Sequence, residues 1–138
     1  MRAVLDTNVL IAAILSPRGS SADLVRAWQA GDFDLVASPG LLAELREALR
    51  FPVLQRLVTT EDADAYVEMI GRAAVIVEDP AGPPAARTDD PADNHRLALA
   101  AAHRALLVTG DEDLASLSEL VPVLEPAAFL ASLRDSRV

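Results

Sequence analysis

The stretch Met1-Arg2-Ala3-Val4-Leu5-Asp6-Thr7-Asn8 decides how the rest of the chain is organised. Its apolar run at 3–5 is typical of a buried central strand, and that run ends at Asp6. A second apolar run over 9–15 indicates a helix, so the carboxylate stands at a turn from strand to helix. Ligands of open α/β sheets bind at the carboxyl ends of the strands. Asp6 is therefore predicted to hold a divalent metal together with other acids.

The rest of the chain alternates strand-like and helix-like segments. Further strands are predicted over 33–37, 75–77, 106–109 and 121–124, with helices between them. Ser38-Pro39 and Asp90-Pro91 each combine a capping residue with a proline at the first helical position. This alternation predicts an α/β fold, a three-layer α/β/α sandwich with a mainly parallel central sheet. The length of 138 residues predicts a single domain over 1–138, and Pro122 predicts an edge position for the last strand.

The composition excludes several classes of function. The chain has no cysteine, which removes disulfides, thiolate zinc sites and a cysteine nucleophile. All 12 basic residues are arginine, so a lysine-dependent phosphate loop and Schiff-base chemistry are also removed. The net charge of −9 disfavours a large basic surface for duplex nucleic acid, but bound metals would invert the charge of an acidic site. No apolar run is long enough to cross a membrane, and a cytoplasmic protein is expected.

Acidic side chains recur where a parallel sheet would bring them together. Asp111 and Asp113 follow the strand predicted over 106–109, as Asp6 follows the first strand. Glu44 lies on the edge of the buried stripe of a helix predicted over about 39–50. An unpaired buried acid is costly, so such a residue is expected to face a cleft, a partner or a metal. Carboxylate oxygens are the ligands that Mg²⁺ and Mn²⁺ prefer.

A further acid opens the helix predicted over about 91–104. The apolar stripe of that helix is predicted to comprise Leu97-Ala98, Ala101-Ala102 and Ala105. Asp93 and Asn94 lie one turn earlier on the same side. Asp93 is therefore predicted to point toward the edge of the sheet where Asp6 lies.

Four segments, taken in order, resemble the acidic motifs of the PIN domain family, and in particular the VapC-type toxins of toxin–antitoxin pairs. They are Leu5-Asp6-Thr7-Asn8, Ser38-Pro39 with Leu42-Ala43-Glu44-Leu45, Asp90-Pro91-Ala92-Asp93-Asn94, and Val108-Thr109-Gly110-Asp111-Glu112-Asp113-Leu114. The resemblance covers nearly the whole chain in order and spacing.

The resemblance implies a metal-dependent endoribonuclease that uses Mg²⁺ or Mn²⁺ to hydrolyse RNA phosphodiester bonds. The implied catalytic metal ligands are Asp6, Glu44, Asp93 and Asp111, with Asp113 as a further acid. The implied supporting polar groups are Asn8, Asn94 and Thr109. Family members are often dimers and are inhibited by a small antitoxin, so an antitoxin with a basic tail and a homodimer are the expected partners besides RNA.

The sequence does not decide which of several neighbouring residues fills the third acidic position of the PIN-like motifs. In many VapC-type sequences the acid stands three residues before the apolar-Ala pair, and in this chain that position is Asn94. Asp93 is the favoured ligand, and Asp90 is the alternative acid. Arginines near the cleft, among them Arg18, Arg96 or Arg104, are candidates for following an RNA backbone.

Three other functions fit parts of the same pattern. Asp6 after the first strand also suits phosphoryl transfer through an aspartyl nucleophile, although such proteins usually have a lysine that balances the phosphate. A catalytically silent PIN-like binding module is the second alternative, and a DNA-directed nuclease is the third.

Overall fold

The computed structural model describes residues 1–80, 91–110 and 121–135, with the side chains of 91–93 left out. Five strands form one sheet in which every neighbouring pair is parallel. The strands are β1 Arg2–Leu5, β2 Asp34–Ala37, β3 Val75–Ile76, β4 Leu106–Val108 and β5 Val123–Leu124. Their order across the sheet is β3-β2-β1-β4-β5. The predicted parallel sheet is confirmed, and β5 occupies an edge as the sequence indicated.

Seven helices are described around this sheet. They are α1 Thr7–Leu15, α2 Ser20–Gln29, α3 Pro39–Ala48, α4 Pro52–Gln55, α5 Thr60–Ala73, α6 Pro91–Ala102 and α7 Pro126–Asp135. Ser38 caps α3 as predicted, because its side chain accepts a hydrogen bond from the Leu41 amide at 3.2 Å and Pro39 takes the first helical position. The short helix predicted after residue 113 lies outside the described residues.

Alternating side chains of the central strand divide the core into two layers. Ala3 and Leu5 belong to one apolar cluster, which includes residues of α1, α2, α5 and α7. Val4 belongs to the other cluster, in which α6 supplies Leu97 and Ala100. Successive residues of a strand point to opposite faces, so helices must cover both sides of the sheet. The three-layer α/β/α sandwich predicted from the alternation of elements is thereby explained.

The buried face of α6 differs from its predicted stripe. Leu97, Leu99 and Ala100 are buried, and Ala105 beyond the end of α6 is buried as predicted. Ala101 and Ala102 are exposed, so the prediction was wrong for that pair. Arg96 is buried on the same face. A prediction based on hydropathy assigns an arginine to the surface. A buried arginine is nevertheless tolerated when carboxylates pair with it.

The strand order places a switch point beside β1. The chain proceeds from β1 outward through β2 and β3, and the second part adds β4 and β5 on the other side. The crevice between β1 and β4 at their carboxyl ends is where ligands of such sheets bind.

Within the part of the chain that the structure describes, no helix combines the length and the hydropathy needed to span a bilayer.

We expect Phe129→Ala to destabilise the fold by about 3–5 kcal/mol, because it leaves a cavity beneath α7. Phe129 is fully buried and meets Phe33 edge to face, with ring centroids 5.0 Å apart. The matched control is Phe51→Ala, since Phe51 is 62% exposed and its loss should change stability by about 0.5 kcal/mol or less. Urea unfolding followed by circular dichroism measures both, and equal losses would contradict the assignment of Phe129 to the core.

Candidate functional site

Asp6 lies at the carboxyl end of β1, beside the end of β4. The register pairs Leu5 with Val108, and the Asp6 amide donates to the Val108 carbonyl at 2.9 Å. The side chain is buried, with the whole residue 4% exposed. Its Oδ2 accepts a hydrogen bond from Oγ1 of Thr109 at 2.7 Å, and its Oδ1 lies 3.4 Å from the Thr7 hydroxyl, which donates. Parallel pairing of two strands therefore fixes the carboxylate in the switch-point crevice.

A buried arginine joins this carboxylate to a second acid. Arg96 of α6 is 3% exposed, and its Nε lies 2.5 Å from Oδ1 of Asp6. Its Nη2 donates to Oε1 of Glu44 at 2.6 Å and to Oγ1 of Thr7 at 2.7 Å. One guanidinium from α6 thus contacts Asp6 and Thr7 at the β1–α1 turn and Glu44 of α3. The planar fork of donors explains why arginine can bridge two carboxylates in fixed geometry.

The two ion pairs of Arg96 differ in their exposure to solvent. Asp6 is enclosed, whereas the Glu44 side chain is 38% exposed. Removing one member of a buried ion pair leaves an uncompensated charge and costs about 3–5 kcal/mol. A partly exposed pair contributes about 1 kcal/mol or less, because water screens it. Asp6 and Arg96 are therefore the tightly held members of the cluster, and Glu44 is its solvent-facing end.

A third carboxylate, Asp79, lies at the amino end of α3. It accepts hydrogen bonds from the Gly40 amide at 2.9 Å and 3.2 Å, and it pairs with Nε2 of His95 at 2.8 Å. A Cβ on residue 40 would lie 2.6 Å from Oδ1 of Asp79, so this close approach needs glycine. Burial raises the pKa of Asp79, but hydrogen bonds from Ser38, His95 and Gly40, together with the charge of His95, lower it more. The net pKa lies below the ordinary value of 3.8.

The structure brings together three of the residues that the sequence singled out. Asp6 and Glu44 share Arg96, and Thr109 donates to Asp6. Asn8 is exposed on the first turn of α1, and Asn94 is half-buried on α6, two residues before Arg96. The other predicted site residues lie outside the described residues or, for Asp93, lack a described side chain; they are Asp93, Asp111, Asp113 and the alternative Asp90.

Sequence reasoning missed the role of Arg96 and the position of Asp79. Arg96 was predicted only as a candidate contact for an RNA backbone, but it is buried against Asp6 and Glu44. The signal available was its position four residues before Ala100, on the buried side of α6. No role was predicted for Asp79, although an acid just beyond the third strand of a parallel sheet is a candidate for the carboxyl edge. For Thr7, the sequence offered no indication of a role at the site apart from its position next to Asp6.

The oxygen-rich chemistry of this edge fits a hard divalent cation. Carboxylates of Asp6 and Glu44 and hydroxyls of Thr7 and Thr109 are grouped there, and such oxygens suit Mg²⁺ or Mn²⁺. The described residues alone contain no group of three or more acidic or histidine side chains that could hold a metal. Among the described residues, Asp6 and Glu44 are the two predicted acids that lie here, and the guanidinium of Arg96 contacts both.

We expect Asp79 to stabilise the fold at neutral pH through its hydrogen bonds, so Asp79→Asn should be destabilising there. A carboxyl whose folded pKa is depressed stabilises above its unfolded pKa, and this contribution is lost as pH falls through the folded pKa. The stability gap between the native protein and Asp79→Asn should therefore shrink below pH 3.8. Urea unfolding at a series of pH values measures the gap.

Two glycine variants control this experiment. Gly40→Ala should displace the Asp79 carboxylate and reproduce the effect of Asp79→Asn. Gly71→Ala should not, because its Cβ would meet only Cδ1 of Leu42 at an ordinary 3.6 Å. A gap that stays constant with pH would refute the proposed role of Asp79.

Among the solved structures that share this fold are two from Rickettsia felis and Pyrobaculum aerophilum. A chain of VapBC2 from Rickettsia felis, bound to a DNA fragment from its promoter, matches with a TM-score of 0.65 and 19% identity, covering 91% of this chain and 98% of that chain. PAE2754 from Pyrobaculum aerophilum matches with a TM-score of 0.66 and 16% identity, covering 98% of this chain and 90% of that chain. At these identities the likeness shows the fold alone. No curated protein matches the chain.

The sequence itself identifies the family. A family model described as PIN domain matches residues 2–113, which include the strand that ends at Asp6, the Glu44 helix and the Arg96 helix. Because this match covers most of the chain, the chain belongs to the PIN domain family.

Proposed function

We propose that this protein is a metal-dependent endoribonuclease and the toxin of a toxin–antitoxin pair. The observation that carries the proposal is the convergence of Asp6 and Glu44 at the carboxyl edge of the sheet, where both contact the guanidinium of Arg96. PIN domains of the VapC type are typically nucleases, and a VapBC complex is among the structures that share the fold. The proposal treats residues 1–138 as one working domain.

The proposed ligands of Mg²⁺ or Mn²⁺ are Asp6, Glu44, Asp93, Asp111 and Asp113. When bound, such an ion supplies an acidified water for attack on phosphate and positive charge opposite the phosphodiester. Thr109 keeps Asp6 oriented by donating to Oδ2, and Thr7 fixes the opposite side. Asn8 and Asn94 are proposed as supporting polar groups that contact the RNA or the metal ligands.

The proposed protein partner is a small antitoxin with a basic segment. A structure of VapBC2 from Rickettsia felis shares the fold, and the net charge of −9 makes a basic partner electrostatically favourable here. An arginine or lysine from the partner would pair with the same acids that bind metal. A homodimer is proposed as well, and light scattering of the purified protein measures it.

Aspartyl phosphotransfer is a second candidate that one observation favours. The chain has no lysine to balance a phosphate, but Arg96 supplies a cation beside Asp6, and Thr109 supplies a hydroxyl. Incubation with acetyl phosphate followed by intact-mass measurement tests this function. A phosphate adduct that Asp6→Asn abolishes would support phosphotransfer and weaken the nuclease proposal.

We expect the purified protein to cleave RNA when Mg²⁺ or Mn²⁺ is present and to lose this activity when a chelator is added. Glu44→Gln and Asp6→Asn should each lower the cleavage rate at least about hundredfold, since even groups that only support metal ligands matter by 10–100-fold. Gel analysis of a labelled single-stranded RNA measures the rate, and a DNA of the same sequence tests the alternative substrate.

The matched control is Asp34→Asn, which removes an exposed acid at the amino end of β2, opposite the candidate site. It should leave cleavage within about twofold of the native rate, because its distance from the site allows only screened electrostatic effects. Thermal unfolding must accompany every variant, since Asp6→Asn also removes the partner of a buried arginine. A folded native protein that cleaves neither RNA nor DNA with either metal would favour the catalytically silent binding module.

We expect the product of a neighbouring short reading frame to co-purify with this protein and to suppress its toxicity. Expression of the protein alone should slow bacterial growth, and co-expression should restore it. Growth that is unaffected by the isolated protein, together with no complex on size-exclusion chromatography, would count against the toxin–antitoxin assignment.

A further inference from the structure

Among the charged residues that the structure describes, Arg96 is set apart because it is enclosed and contacts acids on two sides. Its Nε is 2.5 Å from Asp6, and its Nη2 is 2.6 Å from Glu44. Arg26 provides a contrast, since it pairs with Asp23 on the surface, with both side chains more than a third exposed. A buried cation among oxygen ligands occupies the environment that a bound metal ion would need.

The guanidinium and a divalent cation would use the same oxygen atoms. Oδ1 of Asp6 and Oε1 of Glu44 face Arg96, while Oδ2 of Asp6 accepts from Thr109. Two positive charges within a few ångströms in a poorly hydrated site repel each other strongly. Both cations therefore cannot keep their full contacts with Asp6 and Glu44 at once.

From this geometry, and resting on the proposed function, we infer that Arg96 is the resident counter-cation of the acidic site and that a divalent metal binds by exchange with it. In the metal-free protein Arg96 holds Asp6 and Glu44 together, which prevents their mutual repulsion. On metal binding the guanidinium releases Oδ1 of Asp6 and Oε1 of Glu44. Because the Glu44 side chain is partly exposed, the released guanidinium moves toward solvent on that side. Arg96 is thus a positioning residue that lowers metal affinity.

The first test follows Arg96 in the native protein. Nitrogen-15 spectra resolve arginine Nε–H signals, and the Arg96 signal is assigned by its absence from the spectrum of Arg96→Lys. Addition of Mg²⁺ should shift the Arg96 signal or exchange-broaden it, whereas the Arg26 signal should stay unchanged. An Arg96 signal that stays unchanged at saturating Mg²⁺ would overturn the inference.

The second test measures affinity by calorimetric titration with Mn²⁺. Arg96→Gln should bind Mn²⁺ about tenfold or more tightly than the native protein, the size of effect that one close charge pair produces. The matched control is Arg46→Gln, which removes the same charge from an exposed position on the helix that carries Glu44. Its affinity should stay within about twofold of native.

Stability gives a readout that does not depend on catalysis. Metal-free Arg96→Gln should unfold at a lower temperature than the native protein, because its acids lack their counter-charge. Mn²⁺ should raise its unfolding temperature more than it raises that of the native protein. If Arg96→Gln does not fold, Arg96→Lys replaces it and should bind Mn²⁺ more tightly than the native protein, since its shorter point charge cannot bridge both acids.

The outcomes separate this inference from the proposed function. Native protein that binds Mn²⁺ and cleaves RNA, with Arg96→Gln binding no more tightly, overturns the exchange and leaves the nuclease proposal standing. Absence of Mn²⁺ binding in the native protein and in Arg96→Gln overturns both. Tighter binding by Arg96→Gln with no RNA cleavage by the native protein supports the exchange and contradicts the nuclease proposal.

Discussion

The burial of one guanidinium at the carboxyl edge of the sheet is the constraint on which this part of the molecule depends. Arg96 is 3% exposed, and acids that face such a charge, here Asp6 and Glu44, make its burial tolerable. The pairing also defines how α3 and α6 approach β1, since each contributes one member. The same three side chains therefore determine both how α3 and α6 pack and how charge is distributed in the candidate site.

Periodicity accounts for most of the fold that sequence reasoning predicted. The run at 3–5 is continuous because β1 is central and both its faces are covered, as the two apolar clusters show. Ser38-Pro39 located the start of α3 because capping is a local interaction that a few adjacent residues determine. Glu44 was predicted at the edge of the buried stripe, and its side chain is indeed partly exposed there.

The contacts of Arg96 and Asp79 could not be read in this way, because they depend on segments far apart in the chain. Arg96 meets Thr7 across 89 residues, and Asp79 meets Gly40 across 39. Hydropathy predicts that an arginine lies on the surface. Nothing in the sequence of α6 indicates that acids from the β1–α1 turn and from α3 will contact it. Asp79 follows the strand predicted over 75–77, but nothing in that segment indicates that its carboxylate accepts from the Gly40 amide. Long-range pairing decided both positions.

The distance along the chain between Asp6 and Thr109 has a consequence for biosynthesis. These residues are 103 positions apart, and β1 gains β4 as its neighbour only after most of the polypeptide has left the ribosome. Contacts of such large sequence separation form late, because closing a long loop costs entropy before the contact compensates for it. The crevice between β1 and β4 is consequently among the last features to be assembled, so Asp6 gains the hydrogen bond from Thr109 only late in folding.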